Sequence, residues 1–339
     1  MAEVIDLELM LLSVRGEIKR ILQFLDIPES QEYLAMLNHH FGFSKRPDHV
    51  NIGGKMIRPL ILLLCFNNIG EKDHWKTAVP AAAAIELLHN FSLIHDDIQD
   101  SSPIRRNQDT VWKIWGVPQA INAGDGVFAL ANIALGNLEG SFPPETLLRV
   151  IKLFNQTCLD LTRGQNLDIA FEQKSHILLE DYWRMIEYKT ARLIATSAEI
   201  GAVLAGFRDD VITEFRNYGT NVGLAFQVLD DILGIWGDES KIGKSSTKDL
   251  EDKKNSLPIL LGLQKSQEFF NRWKKGNISL AEAKNLALLL ENSGIKSEAQ
   301  NQAELLTTNA LNSLKRLPLN PSSKSELYKL TNDLLNRQT

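Results

Sequence analysis

The sequence predicts an all-α protein, a single-domain helical bundle, and three observations carry that prediction. Apolar residues recur at helical spacing in segment after segment, runs that alternate as a half-buried strand would are almost absent, and the breaks between segments carry helix-stop chemistry. The periodic segments are 6–25, 59–69, 75–100, 118–138, 144–172, 179–206, 209–236, 255–271, 280–293, 296–316 and 322–336. The breaks fall at Asn51-Ile-Gly-Gly54, Ser101-Ser-Pro103, Pro143-Pro144, Gly206 and Gly237–Ser246. They are short loops inside one domain, 1–339, because no solenoid period, low-complexity tract or linker composition interrupts the pattern. With 339 residues and 44% hydrophobic content the chain can bury a large core.

Taken in order, the N-terminal stretch MAEVIDLELMLL is acidic where a secretory signal needs positive charge. The longest uninterrupted apolar run, Pro59 to Phe66, is too short to span a bilayer. A cytoplasmic protein without a membrane span is therefore expected. Gly53-Gly54-Lys55-Met-Ile-Arg58-Pro59 frees the backbone before a helix expected to start at Pro59, which puts Lys55 and Arg58 near a helix N-terminus, where anions bind; an ordinary loop is the plain alternative. The segment 78–94, AVPAAAAIELLHNFSLI, is apolar nearly all round, with Pro80 near its start, and should be a central helix that its neighbours approach closely.

That helix ends in His95-Asp96-Asp97-Ile98-Gln99-Asp100, with Asp96 and Asp100 at i and i+4 on one face. A helix C-terminus prefers cations, so two carboxylates there resist explanation as a mere charged end. A hard divalent cation held by oxygen ligands, magnesium bridging to a diphosphate, resolves the conflict. Arg105 and Arg106 follow, with planar forks that suit phosphate oxygens, or a solvated loop pair. Lys189-Thr190 sits in a helix whose other face is small and apolar, where a lysine usually snorkels outward. A second acidic cluster, Phe226-Gln227-Val-Leu-Asp230-Asp231-Ile-Leu-Gly234, again ends an apolar helix. Two such clusters suggest a cavity between helices with carboxylates facing across its mouth. The stretch 237–254, GDESKIGKSSTKDLEDKK, is polar and lysine-rich, and carries Lys244 and Lys254.

Bulk properties narrow the partners. The net charge is −5, with no Lys/Arg run interleaved with aromatics, so neither nucleic acid nor an anionic membrane is indicated. Cys65 and Cys158 lie in apolar stretches and read as buried free thiols of a reducing compartment.

In this order, GGKMIRP, LLHNFSLIHDDIQDSSPIRRN, GQNLD, YKT and FQVLDDILGIWGDESKIGKSSTKDLEDKK resemble the polyprenyl synthetase family of farnesyl, geranylgeranyl and longer trans-prenyl diphosphate synthases. The resemblance spans roughly residues 50–260. It implies the isoprenoid synthase fold, a bundle around a deep central cavity, and a homodimer using Mg2+. By position, Asp96 and Asp100 match the magnesium ligands of the first motif, with Asp97 in support, and Asp230 that of the second, with Asp231 behind it. Lys55, Arg58, His89 and Arg106 match the site for the diphosphate of isopentenyl diphosphate. Arg105, Lys189, Lys244 and Lys254 match the site for the allylic diphosphate, and Thr190 and Gln227 the weak dipoles near the allylic cation.

One departure stands out: the second motif usually ends in a third Asp, and here that position is Gly234. Two rivals share features. A class I terpene cyclase would lack a co-substrate anion site, for which Lys55, Arg58 and Arg106 are present, and a non-catalytic subunit of a heteromeric synthase would be expected to lose more of the first motif. Product length depends on side chains upstream of Asp96. Ser92, Leu88 and Ile85 lie close to its face and Phe91 flanks that stripe. The resemblance points to geranylgeranyl diphosphate, with farnesyl diphosphate the alternative.

Overall fold

The computed structural model describes residues 5–43, 56–67, 73–172, 174, 177–237 and 247–335. Its contacts divide the chain into two compact units. One comprises Met1–Cys158, Thr196–Ile212 and Pro318–Glu326, the other Leu159–Ala195, Thr213–Leu317 and Leu327–Thr339.

In the first unit, α1 (Leu7–Leu22) starts where the Asp6 side chain accepts a hydrogen bond from Leu9 N at 2.9 Å, and buries the stripe Met10, Val14, Ile18 and Ile21. Then come α2 (Gln31–His40) and α3 (Ile57–Phe66), the latter buried on every side from Pro59 onward. The central helix α4 (Val79–Gln99) carries proline in its first turn and packs on α1, α3 and α6 (Val117–Gly136). Ala81 to Ala84 are wholly buried, and their small side chains let those neighbours come close, as the alanine-rich sequence predicts.

A two-stranded hairpin, β1 (Ile104–Arg105) and β2 (Gln108–Asp109), follows α4, and α5 (Val111–Trp115) follows the hairpin. The two turn residues, Arg106 and Asn107, both have left-handed backbone, φ 51° and 60°, which is what a two-residue turn joining twisted strands demands. The periodicity missed α2, and it missed the hairpin and α5, which are too short to show a period.

The second unit takes residues from α7 (Pro144–Glu172), α8 (Leu179–Ile186), α9 (Arg192–Leu204) and α10 (Asp209–Trp236). To these it adds α11 (Lys248–Glu251), α12 (Leu257–Lys265), α13 (Gln267–Trp273), α14 (Leu280–Asn292), α15 (Ile295–Arg316) and part of α16 (Pro321–Leu335). Its core gathers Phe171, Tyr182, Ile232, Leu257, Leu286 and Leu290. A turn of π-helix, Glu187–Ala191, lies between α8 and α9. Gly219 and Gly223 of α10 lie against the backbone of Ala195 and Ala191, where an added Cβ would come within 2.6 and 2.4 Å of those α-carbons.

Helices span the predicted segments with ends shifted by a few residues, except 179–206, which the π-helical turn divides into α8 and α9, and 255–271. The latter segment is two helices, because the Ser266 side chain caps α13 by accepting from Phe269 N at 3.3 Å. Among the described residues, one stretch, His74–Gln99, is long and apolar enough to cross a membrane by length and composition. It is longer than the run Pro59–Phe66 singled out in the sequence, and 67% of its apolar window is buried against the rest of the protein.

Candidate active site

The first acidic motif forms the last turn of α4. Asp96 is half-buried and Asp100 exposed, on one face as predicted. Asp97, a step of 100° round, is buried at 3% exposure and takes Arg105 in a forked pair: Nε donates to Oδ1 at 2.9 Å and to Oδ2 at 3.0 Å, and Nη2 lies 2.8 Å from Oδ1. Burial holds the Asp97 carboxyl above its ordinary pKa, and Arg105 opposes the rise. Asp97 thus ties the hairpin to the helix. The Ser102 amide closes the join by donating to Asp97 O at 2.9 Å. Upstream, Leu88 is fully buried, Ser92 Oγ donates to His89 O at 2.8 Å, and the half-buried Phe91 ring meets His95 and Phe128 at 4.9 and 5.3 Å between centroids.

The basic groups of this unit surround a buried acid. Arg58 is the second residue of α3, after Met56 in left-handed backbone (φ 41°), and its Nε is buried without a hydrogen-bond partner. Burial lowers the Arg58 pKa, Glu86 opposes this, and Arg106 adds to it. His89 is held neutral, first by burial and then by Arg58, Arg106 and Arg105. Lys55 lies outside the described residues. Glu86, at 3% exposure, accepts from Asn90 Nδ2 at 2.9 Å, and Asn90 Oδ1 lies 3.0 Å from His40 Nε2. Because the Asn90 amide nitrogen donates to Glu86, its oxygen must accept, and His40 carries its proton on Nε2. Burial, then Arg106 and Arg105, push the His40 pKa down to about 3. Sequence reasoning assigned no role to Glu86, Asn90 or His40, although a lone glutamate inside AAAAIELLHN is an available signal.

In the second unit, Lys189 and Thr190 sit on the π-helical turn, a distortion frequent at functional positions. Lys189 Nζ pairs with Asp168 of α7, from the segment GQNLD, which the sequence analysis quoted without a role. Thr190 Oγ1 donates to Gln227 Oε1 at 2.7 Å, and Gln227 Nε2 donates to Asp231 Oδ1 at 3.0 Å. Asp231 is buried and also accepts from Tyr182 Oη at 2.7 Å and Leu257 N at 2.8 Å, both on Oδ2. Burial pushes its pKa up to about 7 against those three bonds. Asp231 therefore sets the Gln227 amide, and through it Thr190, while its neighbour Asp230 is exposed. Gln165 is buried at 9% exposure with neither Oε1 nor Nε2 bonded, a costly state unless a ligand or water completes it. Lys254 is 62% exposed and 3.8 Å from Asp249, and Lys244 lies outside the described residues. Both thiols are free, Cys65 buried and Cys158 partly so.

Among the described residues no three His, Cys, Asp or Glu side chains form a metal cage. Magnesium does not need one, since it is held by one or two carboxylates with waters and substrate phosphates. Asp96 and Asp100 in the first unit, and Asp230 in the second, offer oxygen donors of the kind such ions take.

The family model for polyprenyl synthetase matches residues 45–287. The chain belongs to the polyprenyl synthetase family. Polyprenyl synthetase relatives include the (2E,6E)-farnesyl diphosphate synthase of Mycobacterium tuberculosis, 33% identical over 89% of this chain and 86% of that one. The geranylgeranyl diphosphate synthase of Sulfolobus acidocaldarius is 36% identical over 81% and 83%. A crystal structure of a polyprenyl synthetase from Streptomyces coelicolor superposes with TM-score 0.86 at 31% identity, covering 97% of this chain and 98% of that one. The fold is the isoprenoid synthase fold, and the protein is a prenyltransferase of the short-chain trans-prenyl diphosphate synthase type, a family that generally uses divalent metal ions.

Proposed function

We propose that this chain is a single polyprenyl synthetase domain over residues 1–339 that joins isopentenyl diphosphate to an allylic diphosphate, dimethylallyl, geranyl or farnesyl, in 1'-4 fashion. Its main product is geranylgeranyl diphosphate. The observation that carries this is the survival of both diphosphate-handling sets in one chain: carboxylates at Asp96, Asp100 and Asp230, and the cations Arg58 and Arg106 around buried Glu86.

In this reading Asp96 and Asp100, with Asp97 behind them, and Asp230, with Asp231 behind it, would hold the Mg2+ that accompanies the allylic diphosphate. Bound magnesium supplies positive charge to the leaving diphosphate. Lys189 and Arg105, with Lys244 and Lys254, steady the same anion as the C–O bond breaks and its electron pair leaves with oxygen. Thr190 Oγ and Gln227 offer the allylic cation weak dipoles that cannot capture it, held in place by the Thr190–Gln227–Asp231 chain. Lys55, Arg58, His89 and Arg106 hold isopentenyl diphosphate, whose alkene electron pair forms the new C–C bond. The proton then leaves carbon for the released diphosphate.

The bulk of Phe91 between His95 and Phe128 supports a short product. The Mycobacterium tuberculosis relative supports farnesyl diphosphate as the second reading. A cytoplasmic homodimer completes the proposal, and Val117 and Ile121, exposed one turn apart on α6, offer apolar surface for a partner. The test of the length reading is product sizing for Phe91→Ala, where longer chains are expected. An unchanged distribution would move the floor to Leu88, Ile85 or a neighbouring helix.

A further inference from the structure

The second motif of this chain lacks a carboxylate at 234, one turn beyond Asp230. The space at that position is not empty. A Cβ built on Gly234 would lie 2.2 Å from Asp249 Oδ2, 2.5 Å from its Cγ and 3.0 Å from Oδ1, so a carboxylate from α11 already stands over the helix where residue 234 would project.

The fold holds Asp249 there. Leu250, its neighbour, is wholly buried, the Lys254 amide donates to Asp249 O at 2.9 Å, and the Leu257 amide is bonded to Asp231, one turn before Gly234 and a residue on. The Asp249 side chain is only 14% exposed. Lys254 Nζ lies 3.8 Å from its Oδ1, a loose pair with a lysine that is itself 62% exposed. Asp249 also adds its negative field to Asp231 and Tyr182, so three acids share this end of α10.

Resting on the functional reading above, we propose that Asp249 supplies, from a separate helix, the carboxylate that the motif lacks at 234, completing with Asp230 the oxygen donors for the divalent cation and its water shell. Gly234 is then a requirement of this arrangement rather than a loss, because any side chain there would displace Asp249.

The test measures Mn2+ binding, in the presence of inorganic pyrophosphate, from the electron paramagnetic resonance signal of the free ion, for the wild type, Asp249→Asn, Gly234→Asp and the exchange Gly234→Asp/Asp249→Gly, with thermal melts alongside. Asp249→Asn should weaken Mn2+ binding by about tenfold or more, the scale seen when a supporting carboxylate is lost from a metal site. Gly234→Asp alone should bind no more tightly than wild type, and the exchange should recover most of what Asp249→Asn loses. Wild-type affinity in Asp249→Asn, or tighter binding by Gly234→Asp alone, would overturn the inference and leave the functional reading standing. A wild-type chain that binds no Mn2+ with pyrophosphate would overturn both. If Asp249→Asn melts early, the exchange variant decides: failure to recover binding in a folded exchange protein overturns the inference.

Discussion

Replacing Gly164 by alanine should impair catalysis far more than stability, because of what the added methyl would meet. Built on the backbone, its Cβ lies 2.3 Å from Lys189 N, 2.7 Å from Lys189 Cα and 2.9 Å from Lys189 Cβ. The first two are backbone atoms of the π-helical turn and the third is the Cβ fixed to it, so no rotation about a side-chain bond relieves the contact; the turn itself must move by about 1 Å to reach ordinary contact distance. Overpacking of this kind costs about 1–3 kcal/mol, while alanine in a helix returns about 0.5–1 kcal/mol over glycine, so the net loss is small. The turn, however, carries Lys189 and Thr190, and a displacement of about 1 Å at a catalytic group costs on the order of a hundredfold in rate. Steady-state kinetics and thermal melts of Gly164→Ala should show that drop in kcat with a modest change in Tm. Gly16→Ala is the control: apart from its chain neighbours and the backbone of its own helix, nothing lies within 4 Å of the added Cβ, and it should stabilise by about 0.5–1 kcal/mol with unchanged kinetics. Wild-type kcat in Gly164→Ala would refute the placement of Lys189 and Thr190 in the reaction.

Three further outcomes are expected. Asp96→Ala and Asp100→Ala should each lower kcat by roughly a hundredfold or more at saturating Mg2+ with melts unchanged, and near-normal rates would remove the metal assignment. Arg58→Ala should raise KM for isopentenyl diphosphate more than for the allylic partner; equal rises would contradict the division into two anion sites. For His40, the folded pKa of about 3 lies below the unfolded value near 6.5, so its contribution to stability is intact above pH 6.5 and is lost as pH falls from there toward 3. Between pH 7.5 and 4.5 that loss is about 2–3 kcal/mol, and urea titrations of His40→Gln should show a pH slope flatter by that amount; an equal slope would place His40 in water.

The helical architecture was legible because long amphipathic segments announce their period, and segments such as 144–172 and 209–236 end where proline, glycine and tryptophan-glycine junctions end them. The acidic motifs were legible because carboxylates at the end of an apolar helix conflict with local physics. The supporting groups were not. Asp168, Glu86, Asn90 and His40 act through partners 21 to 50 residues away or through burial, and neither is written in local spacing. Nor could periodicity show that Asp249, fifteen positions beyond Gly234, would fill the gap there, since that depends on how the Leu257 amide is tied to Asp231.

The central claim is tested most directly by giving the purified single chain radiolabelled isopentenyl diphosphate with Mg2+ and each allylic starter in turn, then sizing the dephosphorylated products. Label incorporated into linear alcohols, with geranylgeraniol predominating from every starter, is the predicted result. A cyclised hydrocarbon from farnesyl diphosphate alone, or no incorporation unless a second protein is added, would contradict it.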